Sequence, residues 1–134
     1  MSFQHTTRQI LARTKDVTRR LGWKKLKAGV VLQAIEKGQG LKKGEHPRHL
    51  RRIRVKSVRR ERLSRMMNEP RYGKRECVRE GFPELTGRAF VEQFCRNMKC
   101  KPDVYVTRIE FGYEGETRAL RASRAGPARA TKGT

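Results

Sequence analysis

The chain has 134 residues, with 34 Lys and Arg against 13 Asp and Glu, giving a formal net charge of +21. That length suits one domain, and the absence of any run of about 18 apolar residues predicts no membrane-spanning helix. The polar N-terminus MSFQHTTRQILARTK lacks the apolar region of a secretory signal, and three cysteines do not make a paired disulfide framework, so a reducing, cytoplasmic setting is expected.

The charge is unevenly placed. Residues 1–65 carry a net +16, residues 66–114 a net +1 and residues 115–134 a net +4. A polyanionic partner is therefore expected to meet mainly the first half, and nucleic acid is the usual polyanion for charge this dense. Charge alone leaves open non-specific contact or a basic face that serves solubility.

In chain order, Ser2–His5 reads as a short strand carrying Phe3. A hydroxyl of Thr6 or Thr7 can cap a short helix with Ile10 and Leu11 on its apolar edge. Lys15–Trp23 is polar and broken by Gly22, which predicts a loop or short irregular strand. Gly29–Ile35 is a nearly continuous apolar run, the pattern of a strand buried on both sides. Lys37–Pro47, rich in Gly and Lys, reads as an exposed loop. Arg52–Val58 alternates Ile53, Val55 and Ser57 with basic residues, as a half-buried strand does.

The second half predicts a short helix over Arg75–Glu80 ended by Gly81. A longer helix follows, capped by Thr86, with Ala89, Phe90, Phe94 and Met98 on one face and Pro102 beyond its end. Val104–Tyr113 is β-rich, with Tyr105, Thr107, Ile109, Phe111 and Tyr113 of one parity. Residues 115–134 shift to Gly, Ala, Arg, Ser and Thr and read as a basic disordered tail, leaving residues 1–114 as the domain. The elements together predict an α+β fold: a small mixed β-barrel or open sheet with two to three short helices.

The densest chemistry lies in Lys15-Asp16-Val17-Thr18-Arg19-Arg20-Leu21-Gly22-Trp23. Guanidinium groups grip phosphate, an indole stacks on a base, and a lysine desolvated beside other cations can accept a proton from a hydroxyl. From the residues alone, Lys15, Arg19 and Arg20 as solvated charges with Trp23 as core is favoured over a catalytic role, though not over nucleic-acid contact. The candidate nucleic-acid contacts are Arg19, Arg20, Trp23, Lys24, Lys25, Lys42 and Lys43. For metal, His46 and His49 lie three apart and Cys95 and Cys100 five apart. Neither pair has tight Cys-x-x-Cys spacing, so no metal is assigned, and no cofactor is expected.

The Lys15-x-x-Thr18-x-Arg20 signature, the strand Val30–Ile35, the stretch Arg79-Glu80-Gly81-Phe82, the helix ending in Gln93-Phe94-Cys95 and the strand Val104–Tyr113 together resemble the ASCH domain. ASCH domains belong to the PUA-like superfamily of small β-barrels, and the likeness is to their small single-domain bacterial and phage members. The resemblance implies RNA binding in a cleft lined by the signature loop. It also implies an alternative, since some small members are amidohydrolases of N4-acetylcytidine and a related one is reported to cleave RNA. Carried over by position, the hydrolase set becomes Lys15 as base, Thr18 as nucleophile and Glu80 as proton relay, with Arg20 free to hold an oxyanion or a phosphate. Glu80 is equally open to a structural role, paired with Lys15 or Arg79. Three departures favour a polyanion over a neutral nucleoside: the additional Arg19, the basic Gly38–Pro47 loop and the basic tail.

Overall fold

The computed structural model describes residues 1–37 and 42–115. The tip of the basic loop at 38–41 and all but the first residue of the basic tail lie outside them. Helix α1 (Thr7–Ala12) is followed by strands β1 (Val17–Arg20), β2 (Val31–Ile35) and β3 (His49–Arg62). Helices α2 (Arg65–Asn68), α3 (Pro70–Glu80) and α4 (Gly87–Met98) come next, then strand β4 (Tyr105–Tyr113). The fold is α+β, as expected. The sheet is a curled, four-stranded antiparallel half-barrel of order β1-β4-β3-β2, and four helical segments stand where two to three were expected.

Several elements differ from their sequence reading, each for a tertiary reason. The polar stretch after Lys15 forms a true strand because β4 supplies a complete partner, with Val17 opposite Glu110 and Arg20 opposite Thr107. The apolar run ending at Ile35 was expected to be buried on both sides. It is the outermost of the four strands, paired with β3 on one edge and with only the short N-terminal segment on the other, and Ala34 is the one residue in it that is fully buried. The alternation of β3 holds through Ile53 and Val55. A bulge between Val55 and Ser57 then shifts the register, and the next buried position on the strand is Glu61. Helix α3 starts at Pro70, a residue suited to the first turn, and so has 11 residues, starting five residues before the expected Arg75. Thr6 is the N-cap of α1 without a capping bond from its side chain, while the Thr7 hydroxyl donates to Phe3 O at 3.0 Å. The Thr86 cap is as read, its hydroxyl accepting from Ala89 N at 3.1 Å. Lys99, in the left-handed region at φ 55°, ends α4 before Pro102 is reached.

Two apolar clusters flank the sheet. One joins Leu63, Met66, Cys77, Phe90, Val91 and Val106 beneath α2, α3 and α4. The other joins Phe3, Ile10, Ala34, Ile53, Phe111 and Tyr113 beneath the N-terminal segment and α1. Ser2 makes a parallel bridge to Ile35, so the N-terminal segment lies along the sheet and carries the buried Phe3 toward Arg20. No helix among the described residues is long and apolar enough to cross a membrane.

Candidate active site

The C-terminus of α3 organises the site. Gly81, at φ 96°, lets the chain reverse: Phe82 N donates to Cys77 O at 2.8 Å and Gly81 N to Val78 O at 3.1 Å. This pair of bonds is the Schellman motif, which needs a residue that tolerates positive φ. The reversal leaves Glu80 as the last helical residue, with its carbonyl free to accept from outside the helix. Lys15 fills that position. Its ammonium donates to Glu80 O at 2.9 Å and to Glu80 Oε1 at 2.7 Å, so one residue supplies both a helix-end carbonyl and a carboxylate.

Glu80 belongs to a larger buried network. Glu76 and Glu80 lie one turn apart on α3, a spacing that brings like charges together and is unfavourable unless a cation separates them. Arg19 does so, donating through one terminal nitrogen to Glu80 at 3.0 Å and through the other to Glu76 at 2.5 Å and Glu61 at 2.9 Å. Arg108 grips both oxygens of Glu76, at 2.7 and 3.1 Å, and the Tyr72 hydroxyl joins Arg19 to Glu61. Three buried cations, Lys15, Arg19 and Arg108, thus face three buried carboxylates, Glu61, Glu76 and Glu80. Burial raises the Glu76 carboxyl, but the bonds from Arg108 and Arg19 outweigh it and hold the group at about 2. Burial lowers the Arg19 guanidinium, but the surrounding carboxylates more than reverse this and leave it raised. For Lys15 the balance goes the other way. Burial depresses the ammonium further than Glu80 restores it, with Arg20 and Arg19 adding repulsion.

A cavity of about 160 Å³ opens beside this network. Lys15, Thr18, Arg20 and Glu80 all line it, so the three residues of the predicted hydrolase set face one space. Its apolar wall comes from Phe3, Phe82, Phe90 and Phe94, with Phe90 tilted against both Phe82 and Phe94 at centroid distances of 6.2 and 6.3 Å. A flat ring suits such a wall.

Neighbouring residues on β1 point to opposite faces, which separates the two adjacent arginines. Arg19 turns into the carboxylate network. Its side chain is fully buried, so this candidate phosphate contact is engaged by glutamates. Arg20 turns the other way, its guanidinium 4.8 Å from the centroid of Phe3 and its Nε donating to Thr18 Oγ1 at 3.1 Å. Among the described residues no carboxylate pairs with Arg20, and burial lowers its guanidinium to about 10. The cavity therefore holds a desolvated cation suited to developing or resident negative charge.

The remaining candidates sit elsewhere. Trp23, Lys24 and Lys25 are exposed on the turn after β1, and Lys42 and Lys43 are exposed between β2 and β3. The Sγ atoms of Cys95 and Cys100 lie 3.9 Å apart, and no group of three or more metal-ligating residues is found among the described residues. The sequence reading missed Glu61, Glu76, Tyr72 and Arg108. The i,i+4 pair Glu76 and Glu80 on one helix face was an available signal for two carboxylates, whereas Glu61 and Arg108 resemble any strand charge. Phe90 and Phe94 were read as one helical face, and they wall the cavity.

No protein-family model and no curated protein matches the chain. Among solved structures, the chain is similar in fold to the crystal structure of protein EF3133 from Enterococcus faecalis V583, described as family-model DUF984. The TM-score is 0.51 at 15% identity, over 83% of this chain and 71% of that one. At that identity the likeness is one of fold.

Proposed function

We propose that this chain is an ASCH-type, PUA-like hydrolase that cleaves the amide of an acylated nucleobase of the N4-acetylcytidine kind. One observation carries the reading: the Lys15 ammonium meets Glu80 at 2.7 Å in a cavity that Thr18 and Arg20 also line. Burial of Lys15 favours its neutral amine, which can take the proton of the Thr18 hydroxyl. The bond from Arg20 Nε to Thr18 Oγ1 stabilises the developing alkoxide. The alkoxide adds to the acyl carbonyl, Arg20 faces the oxyanion, and the C–N bond breaks as Glu80 relays the proton to the leaving amine. Water then hydrolyses the Thr18 ester and regenerates the hydroxyl. The four phenylalanines offer a wall for the planar base.

Turnover of N4-acetylcytidine by wild type, Lys15→Ala and Thr18→Val tests this. Product formation by wild type alone is the expected result. No product from wild type at high enzyme concentration overturns the reading, and full activity in either variant overturns the assigned mechanism.

A second reading, RNA binding, is favoured by the exposed Trp23, Lys24 and Lys25 on one turn and by the exposed Lys42 and Lys43. A steep fall of log affinity with log salt supports it, and a flat response or no binding at low salt removes it.

A further inference from the structure

Three strands set one row of side chains on a single face of the sheet. Arg20 of β1 is opposite Thr107 of β4, and Thr107 is opposite Arg60 of β3. Residues directly opposite in an antiparallel pair share a face. Thr107 fixes the row: its hydroxyl donates to Gly22 O at 2.7 Å and accepts from an Arg60 terminal nitrogen at 2.7 Å. Two positions along, Arg62 is opposite Tyr105, its guanidinium 4.7 Å from the ring centroid and one nitrogen donating to Asp103 O at 3.0 Å. Arg60 and Arg62 are exposed, and Tyr105 keeps 48% of its surface in solvent.

The bond from Thr107 to Gly22 brings the chain off β1 at this same end of the sheet. The next residue, Trp23, is 42% exposed and held at φ 59°, a conformation that bulky side chains rarely adopt. Leu26 N closes a turn on Trp23 O at 3.2 Å. Arg60, Arg62 and Tyr105 thus share the sheet face of Arg20, which lines the cavity, and the exposed Trp23 follows the strand that carries Arg20.

We propose that this row is a track that feeds single-stranded nucleic acid into the cavity, with phosphates at Arg60 and Arg62 and bases stacked on Tyr105 and Trp23. The substrate class is then a base within an oligonucleotide, with the free nucleoside as its minimal form. Exposed rings interleaved with cations suit unpaired bases, because a duplex keeps its base faces occupied. The proposal rests on the hydrolase reading for the chemistry in the cavity only. Binding along the track requires no turnover.

The test measures anisotropy of labelled single-stranded RNA and DNA of about 12 nucleotides, and of duplex DNA, across a salt series. Wild type is expected to prefer the single strands. Arg60→Gln/Arg62→Gln is expected to flatten the log–log salt slope by about 1.4, the share of two phosphates. Tyr105→Ala is expected to weaken binding about 10-fold. The charge-matched control Arg71→Gln/Arg88→Gln removes two exposed arginines from α3 and α4 and is expected to leave the slope unchanged. Equal losses in control and track variants overturn the track, as do duplex preference and displacement by polyglutamate as effective as by unlabelled oligonucleotide. Loss of oligonucleotide binding with unchanged N4-acetylcytidine turnover supports the track and the hydrolase together. Track-dependent binding with no turnover by wild type removes the hydrolase and keeps the track.

Discussion

The ammonium of Lys15 is held twice by one residue, 2.9 Å from the backbone oxygen of Glu80 and 2.7 Å from its Oε1. Because Glu80 is the last residue of α3, any movement of that helix end moves both acceptors at once. The helix end is fixed in turn by Gly81, where a Cβ would sit 2.8 Å from Gln9 Cγ and 3.4 Å from Lys15 Cβ. Backbone reversal, buried ion pair and cavity wall are thus one structural unit.

Removing members of the buried network should destabilise in a fixed order. Arg19 serves three carboxylates, so Arg19→Met leaves several buried charges without a partner and is expected to cost about 3–5 kcal/mol. Lys15→Met is expected to cost less, because Glu80 keeps Arg19. Urea unfolding of the two variants checks the order. Equal losses would overturn this ranking of Arg19 above Lys15.

Stability should fall on acidification. The Glu76 carboxyl titrates at about 2 in the folded chain against an ordinary value of 4.5. A depressed carboxylate stabilises the fold above its unfolded value, and this is lost as pH falls through the folded one. Glu61 and Glu110 are lowered as well and add to the same limb. Midpoints of urea unfolding between pH 5 and pH 2 are expected to decline, and Glu76→Gln should flatten part of that decline while lowering stability at neutral pH.

The crossing of α3 and α4 should tolerate no side chain. A Cβ at Gly87 would lie 2.0 Å from Met66 O and 3.0 Å from Gly73 Cα, and one at Gly73 would meet Met66 O at the same distance. Both contacts are with backbone, which has little freedom to yield. Gly87→Ala is expected to lose about 3 kcal/mol or to fail to fold, read as the thermal midpoint. Gly22→Ala, with nothing within 4 Å of its added Cβ, should change the midpoint little.

Hydrolysis should carry the signature of a buried lysine base. The rate is expected to rise with pH through the lowered Lys15 value and to level off before the ordinary 10.5. Arg20 depresses Lys15 by repulsion, so Arg20→Gln should move this limb to higher pH. The same variant should also lower kcat about 100-fold, by removing a donor to the oxyanion. A pH–rate profile that loses amplitude without shifting would confine Arg20 to the oxyanion.

Periodicity and punctuation made much of the architecture legible. Alternation gave β3 and β4, Thr86 marked the start of α4, and Gly81 marked the end of α3, because caps and positive φ act locally. The burial of β2 was not legible, since an apolar run reads the same at the edge of a sheet as at its centre. Nor was the length of α3, whose first turn, Pro70 to Lys74, is polar.

Within the site, the sequence supplied Lys15, Thr18 and Arg20 as chemical candidates, and Glu80 through the family resemblance. Only the tertiary structure decided what each arginine does. Arg19 and Arg20 are adjacent and chemically identical, yet strand alternation sends one among three glutamates and the other onto Phe3 beside the cavity. The partners of a charge lie far along the chain, with Glu80 sixty-one residues from Arg19, and no local pattern encodes that encounter. Spacing proposes a chemistry, and long-range packing determines which groups are spent on holding the fold and which remain free to act.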